Sequence, residues 1–202
     1  MISVTSHYFS PAAPSSEGAR AVAFRDGDRT LRFRTASGVF ARRAVDAGCR
    51  LLLDSVDLGG AQRVLDLGCG YGVLGIVVAA RLPQARVLLV DINPRAVALA
   101  AENVRLNRAV NAEARCGDGC APVAGERFDL ILYNPPIRAG RAVVVRLLDE
   151  AHRCLAPRGR LYLVARTKQG ARTLGRLMQD RYARVIEISR GGGYRVFEAC
   201  DV

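Results

Sequence analysis

The chain has 202 residues, 50% of them apolar and 24% charged, with a formal charge of +11. That length suits one α/β domain with a substantial core and is short for two, and the composition excludes a disordered chain. No apolar run approaches the roughly 18 to 20 residues that span a bilayer, and the opening MISVTSHYFSPAAPSSEG lacks the basic start and apolar stretch of a targeting segment; a cytoplasmic protein with no membrane partner is expected.

The excess positive charge suits a phosphate-rich partner, RNA above all. All but one of the 30 basic residues are arginine, a bias that a GC-rich genome also produces. Lys168 is the exception, in a chain that otherwise uses Arg for charge, and so marks a place for a compact ammonium rather than a planar fork. The cysteines (Cys49, Cys69, Cys116, Cys120, Cys154, Cys200) show no CxxC spacing and have only His7 and His152 to help them. Reduced, mostly buried thiols and no metal are expected.

In chain order, residues 10–18, SPAAPSSEG, read as a loop. AVAFRDGDRTLRFRT then alternates on either side of Asp26-Gly27, the pattern of a β-hairpin. A helix is expected from about Arg42 to Leu53, with Val45, Cys49, Leu52 and Leu53 at helical spacing. From residue 63 the pattern changes to short apolar runs, Val64 to Leu67, Val87 to Val90, Leu130 to Leu132 and Leu161 to Val164, as in strands covered on both faces. Between the second and third strands lies a helical segment from Asn93 to Asn107. Asn93 is its cap, Pro94 its first residue, and Val97, Ala100, Ala101 and Val104 its apolar face. Ala171, Leu174, Leu177 and Met178 mark another helix. Val185 to Ile188 and Arg195 to Ala199 form two last strands that pair antiparallel around Gly191-Gly192-Gly193.

This order implies a doubly wound, mostly parallel sheet with helices on both faces, and such sheets bind ligands beyond the carboxyl ends of their strands. The domain division is residues 1–60, a loop, hairpin and helix packed on the core, and residues 61–202, the catalytic unit. The first core strand runs into VLDLGCGYGVLG, where Gly68, Gly70 and Gly72 permit a tight turn and a helix start with free amide hydrogens. Asp91 ends the next strand, where a carboxylate accepts both hydrogens of a ribose diol. Gly70, Gly72 and Gly75 also spell GxGxxG, so a nicotinamide enzyme competes. Asp66, two residues before Gly68, favours instead a cofactor with an amino group and a sulfonium. Asp118 in CGDG falls at the end of a further strand expected between the Val87 and Leu130 runs, the third in chain order, within reach of an adenine amino group.

The fourth strand ends in NPPI. Pro135 and Pro136 lack amide hydrogens, so the loop offers the Asn134 side-chain oxygen and the Pro135 carbonyl as acceptors without competing donors. Two acceptors on one planar NH2 group stabilise the pyramidal, nucleophilic nitrogen of a methyl-transfer transition state.

DLGCGYG, VDIN and NPPI, in this order and spacing, resemble class I S-adenosylmethionine-dependent methyltransferases that act on planar amino groups. HYFS, NPPIRAG, TKQGA and GYRV are similar more narrowly to the small-domain, RsmC-like ribosomal RNA guanine-N2 methyltransferases. The resemblance runs from His7 to Ala199. It implies a Rossmann-like, seven-stranded sheet with an antiparallel C-terminal strand, and S-adenosylmethionine as cofactor. It further implies that Asp66, Gly68, Cys69 and Gly70 line its methionine part, Asp91 and Ile92 its ribose, and Asp118 and Gly119 its adenine. Asn134, Pro135, Pro136 and Ile137 would then position the amine next to the methyl donor. Arg138, Arg141, Lys168 and Arg195 would approach phosphates of RNA, ribosomal RNA or a ribosomal subunit. Two departures stand out. Better-known members carry a further amino-terminal domain, and many have Tyr or Phe where this chain has Ile137, so base stacking falls to Tyr8 or Phe9. A protein side-chain amide as substrate, or a cofactor-binding module without catalysis, are the alternatives.

Overall fold

The computed structural model describes residues 20–36 and 45–201. The segment HYFS, with Tyr8 and Phe9, lies outside them, as do the 10–18 loop and the first residues of the helix expected from Arg42.

The chain opens with the hairpin of β1 (Arg20–Asp26) and β2 (Arg29–Thr35). Gly27, at φ 56, makes its turn, a left-handed conformation that costs glycine nothing. Phe24 and Phe33 are fully buried, each stabilising the packed hairpin by about 2 kcal/mol. Helix α1 (Ala47–Ser55) begins beyond the position expected for it, because Asp46 caps it by accepting from the Gly48 amide. The remaining elements are β3 (Arg63–Leu67), α2 (Val73–Arg81), β4 (Arg86–Asp91), α3 (Pro94–Leu106), β5 (Ala112–Cys116), β6 (Phe128–Tyr133), α4 (Arg141–Cys154), β7 (Leu155–Arg166), α5 (Ala171–Gln179), β8 (Arg184–Gly191) and β9 (Tyr194–Cys200).

The main sheet runs β5-β4-β3-β6-β7-β9-β8. Its first five strands are parallel, and β9 is antiparallel to both of its neighbours. This is the Rossmann-like, seven-stranded, mostly parallel sheet with an antiparallel C-terminal strand expected from the sequence. Strand β7 is far longer than its apolar centre; its start pairs Phe128 with Leu155 before the register jumps to Leu130 opposite Arg160. One face of the sheet packs with the hairpin, α1, α2 and α3, through residues including Val64, Leu89, Leu130 and Val164. The other packs with α4 and α5 through Leu67, Val90, Ile131 and Leu163.

Helix α3 starts at Asn93 and Pro94 as read, but its buried face is different. The fully inward residues are Ala96, Ala100 and Asn103; of the expected stripe, Ala100 is buried and Val104 packs against the core, while Val97 and Ala101 are only half-buried. Asn103 and Asn107, one helical turn apart, each offer an amide to the edge of β2. Asn103 accepts from Arg34 N at 2.6 Å and donates to Arg34 O at 2.9 Å. Asn107 does the same with Arg32 at 2.9 and 2.7 Å. Residues i and i+4 on a helix sit about 6 Å apart, close to the spacing of alternate strand residues, roughly 6.6 Å. Two side chains thus stand in for a third strand, and a polar residue takes a core position that hydrophobicity alone assigns to a valine.

Candidate active site

The parallel strands end side by side, so the predicted site residues fall along one rim in the order β5, β4, β3, β6, β7. Neighbouring strands are about 4.8 Å apart, which makes the rim from the β5 end to the β7 end about 19 Å wide. At its centre, Leu67 pairs with Val90 on one side and Tyr133 on the other. Gly68 and Asn134, each the next residue, therefore leave the sheet side by side.

The glycines divide by task. Gly68 and Gly70 adopt φ 69 and 56, and a Cβ on either would meet nothing within 4 Å, so this stretch of backbone faces open space. Gly72 and Gly75 are different: a Cβ would stand 2.9 and 2.7 Å from the Leu89 side chain. They let α2 lie close on β4. The helix has no side-chain cap at Gly72, leaving amide hydrogens at its start directed toward the loop.

Asp66 and Asp91 flank this loop. Asp66 is 1% exposed, and its Oδ2 accepts from Gly75 N at 2.8 Å, tying α2 to β3, a structural task the sequence reading did not assign it. Asp91 accepts from Gly70 N at 2.9 Å and Asn93 N at 2.8 Å, holding the loop against the start of α3. Burial pushes the Asp66 carboxyl up to about 7, with the Asp91 charge adding to the effect, and burial also raises Asp91. Neither makes an ion pair among the described residues. Ile92, beside Asp91, is 42% exposed, an apolar surface at the mouth. Cys69 is buried in the loop, and burial raises its thiol well above the ordinary range.

At the β5 end, Asp118 is exposed and ion-paired to Arg146 at 2.7 Å. Glu150 of α4 accepts from Cys120 N at 2.9 Å and leaves no room for a side chain on Gly119, whose φ is 55. The loop of Asp118 and Gly119 is thereby anchored to α4 by two residues that sequence reasoning missed.

At the β6 end, Asn134 is half-buried and its Nδ2 donates to the Cys49 sulfur at 3.2 Å, while Oδ1 has no partner among the described residues. Pro135 is buried. The expectation of a loop without competing donors is corrected here. Pro136, at φ −75 and ψ 77, is the centre of an inverse γ-turn, and Ile137 N donates to Pro135 O at 2.9 Å. A carbonyl has two lone pairs, so one remains. Ile137 is half-buried against the α4 and α5 side of the core.

The basic residues separate. Lys168 is exposed in the short helical turn that follows β7, with no ion pair among the described residues. Arg141 is exposed at the start of α4, and the side chain of Arg138 lies outside the described residues. Arg195 is a correction: its side chain is 7% exposed and ion-paired to Glu187 at 2.5 Å. It points along the β8–β9 pair into the structure rather than to the rim, because β9 is covered on both faces.

Depressions of about 310 and 280 Å³ lie at the opposite pole, around Pro83, Ala85 and Asn111. Arg86 and Glu113 there pair with each other at 3.4 Å, and doubly wound sheets do their chemistry at the other strand ends.

The family model described as methyltransferase small domain matches residues 30–198. The chain belongs to the methyltransferase small-domain family. It is 32% identical to the uncharacterized protein YbxB of Bacillus subtilis (strain 168) over 98% of this chain and all of that one. It is 39% identical to the ribosomal RNA large subunit methyltransferase G of Streptomyces avermitilis over 66% of this chain. That match spans 37% of the curated relative. Among solved structures, the 16S rRNA N2 methyltransferase RsmC of T. thermophilus, in complex with AdoMet and guanosine, superposes with a TM-score of 0.81 at 27% identity. The alignment covers 95% of this chain and 52% of that one.

The T. thermophilus structure holds AdoMet. The residues present fit it: open space in front of Gly68 and Gly70, and the buried Asp66 and half-buried Asp91, with no cation paired to them among the described residues, suit a ligand with an ammonium, a sulfonium and a ribose diol. The nicotinamide reading fails on family membership. The third glycine of GxGxxG, Gly75, is accounted for by its closeness to Leu89.

Proposed function

We propose that this methyltransferase acts on the exocyclic amine of an RNA base, guanine N2 of small-subunit ribosomal RNA, in the cytoplasm. The observation that carries the reading is the Asn134 amide. Its nitrogen is engaged by Cys49, so its oxygen faces a substrate as an acceptor beside the free lone pair of Pro135 O. Asp66 balances the cofactor's ammonium, Asp91 takes the ribose hydroxyls, and Ile92, Asp118 and Gly119 border the adenine. The cofactor supplies an electrophilic methyl group when bound. Asn134 and Pro135 hold the two amine hydrogens, draw the lone pair out of conjugation with the ring, and align nitrogen with carbon; positioning of this kind supplies much of the rate. The charge of +11 and exposed Lys168 and Arg141 support a polyanionic substrate. Residues 61–202 form the catalytic unit, with the hairpin and α1 packed on it.

The test is transfer of labelled methyl groups from S-adenosylmethionine to RNA from cells that lack this protein, followed by nucleoside analysis. The expected product is N2-methylguanosine in 16S RNA. Asn134→Ala should abolish transfer and leave cofactor binding within about threefold, since the lost acceptor faces the amine rather than the cofactor. Label in protein glutamine, or full activity of Asn134→Ala, would overturn the reading.

A further inference from the structure

We propose that Cys49, on α1, is a positioning residue that selects the orientation of the Asn134 amide. The inference rests on the reading of Asn134 as the amine acceptor and extends it to a residue outside the family's strand-end motifs.

An asparagine amide turned by half a rotation presents NH2 where its oxygen was, and a donor there would repel the substrate amine. Something must choose between the two orientations. The Cys49 sulfur, 3.2 Å from Asn134 Nδ2, is the partner on the protein side. Cys49 is buried, and burial pushes its thiol up to about 12, so at neutral pH it is an uncharged SH; a thiol is both a weak donor and a weak acceptor, and in the bond present it accepts from Nδ2. A hydrogen bond of ordinary net strength biases the two orientations by about tenfold.

The sulfur is itself held in place. Asp46 caps α1 by accepting from Gly48 N at 2.8 Å, and Tyr194 OH donates to Asp46 Oδ2 at 2.7 Å. A Cβ on Gly48 would stand 2.6 Å from the Tyr194 ring, so the start of α1 lies directly on β9. The Arg166 guanidinium stands over that ring, 4.8 Å from its centre. The C-terminal strand therefore sets the height of α1, and α1 sets the amide at the end of β6. The hairpin does the corresponding service for the glycine loop, because Asn103, bound to β2, also donates to Tyr71 O at 2.9 Å.

The experiment compares Asn134→Ala, Cys49→Ala and Cys49→Ser with the wild-type chain, using RNA from cells lacking this protein. The readouts are kcat, KM for RNA, cofactor affinity by calorimetry, and thermal midpoint. Cys49→Ala removes the acceptor, the productive orientation falls from about nine-tenths to about half, and kcat should fall about twofold with cofactor affinity unchanged. Cys49→Ser keeps an acceptor on a shorter bond and should retain more activity than Cys49→Ala. Stability should run the other way, because a hydroxyl in an apolar site costs more than a methyl. A packing role alone makes activity follow stability, with Ala at or above Ser, and that order would overturn the proposal. So would a wild-type kcat in Cys49→Ala while Asn134→Ala is inactive. Activity in Asn134→Ala itself would instead overturn the reading of the site.

Discussion

Cofactor affinity should rise with pH through the neutral range, and Asp66 is the reason. Its carboxyl is held at about 7 against an ordinary 3.8, chiefly by burial. At about 1.4 kcal/mol per tenfold, the ionised form in the empty site is disfavoured by about 4 kcal/mol. The folded empty protein keeps a proton that the unfolded chain gives up in this window. Stability from this group is therefore present at low pH and lost as pH rises from about 4 to about 7. An ammonium brought against Asp66 reverses the burial cost, lowers its pKa and expels the proton. Affinity should then be about tenfold weaker at pH 6 than at pH 8 and level off above that. Asp91 is raised by burial as well and adds in the same direction. The lowered carboxylates Asp26, Asp57, Glu113 and Glu126 pair with arginines away from the glycine loop, titrate alike with and without cofactor, and cancel. The assay is calorimetric titration with S-adenosylmethionine from pH 5.5 to 8 in two buffers of different ionisation heat, which counts protons released. Asp66→Asn keeps an acceptor for Gly75 N and should show weaker binding with a flatter pH dependence. A flat wild-type profile, or an unchanged slope in Asp66→Asn, would refute the reasoning.

Two further outcomes concern the scaffold. Asn103→Ala leaves Arg34 N, Arg34 O and Tyr71 O without their side-chain partner and should destabilise by about 3 kcal/mol in urea unfolding; a loss under about 0.5 kcal/mol would show that water replaces the amide. Gly72→Ala places a Cβ 2.9 Å from Leu89 at φ 91 and should cost about 2 to 3 kcal/mol by the same measurement, whereas alanine at Gly68, where a Cβ meets nothing, should cost about 1 kcal/mol.

The four apolar runs of the parallel sheet, the hairpin at Asp26-Gly27 and the Asn93-Pro94 start of α3 were legible in the residues, because each depends on local signals: continuous burial, turn chemistry, capping. So was the placement of Asp66, Gly68, Gly70, Asp91 and Asn134 along one rim, since a doubly wound sheet brings successive strand ends together whatever the details. Partnership across the chain was not legible. Asn134 and Cys49 are 85 residues apart, and a cysteine at helical spacing reads as core. Asn103 lost its place on the buried face to valines because hydrophobicity cannot register an amide that substitutes for a strand. Arg195, expected to approach RNA phosphate, is turned inward onto Glu187 only by the pairing of β9 between β7 and β8. Local sequence determines which elements form and where the loops of the site begin. Which polar atoms are already engaged, and which therefore face a ligand, is decided by contacts between segments distant in the chain, and these exist only once the sheet has assembled.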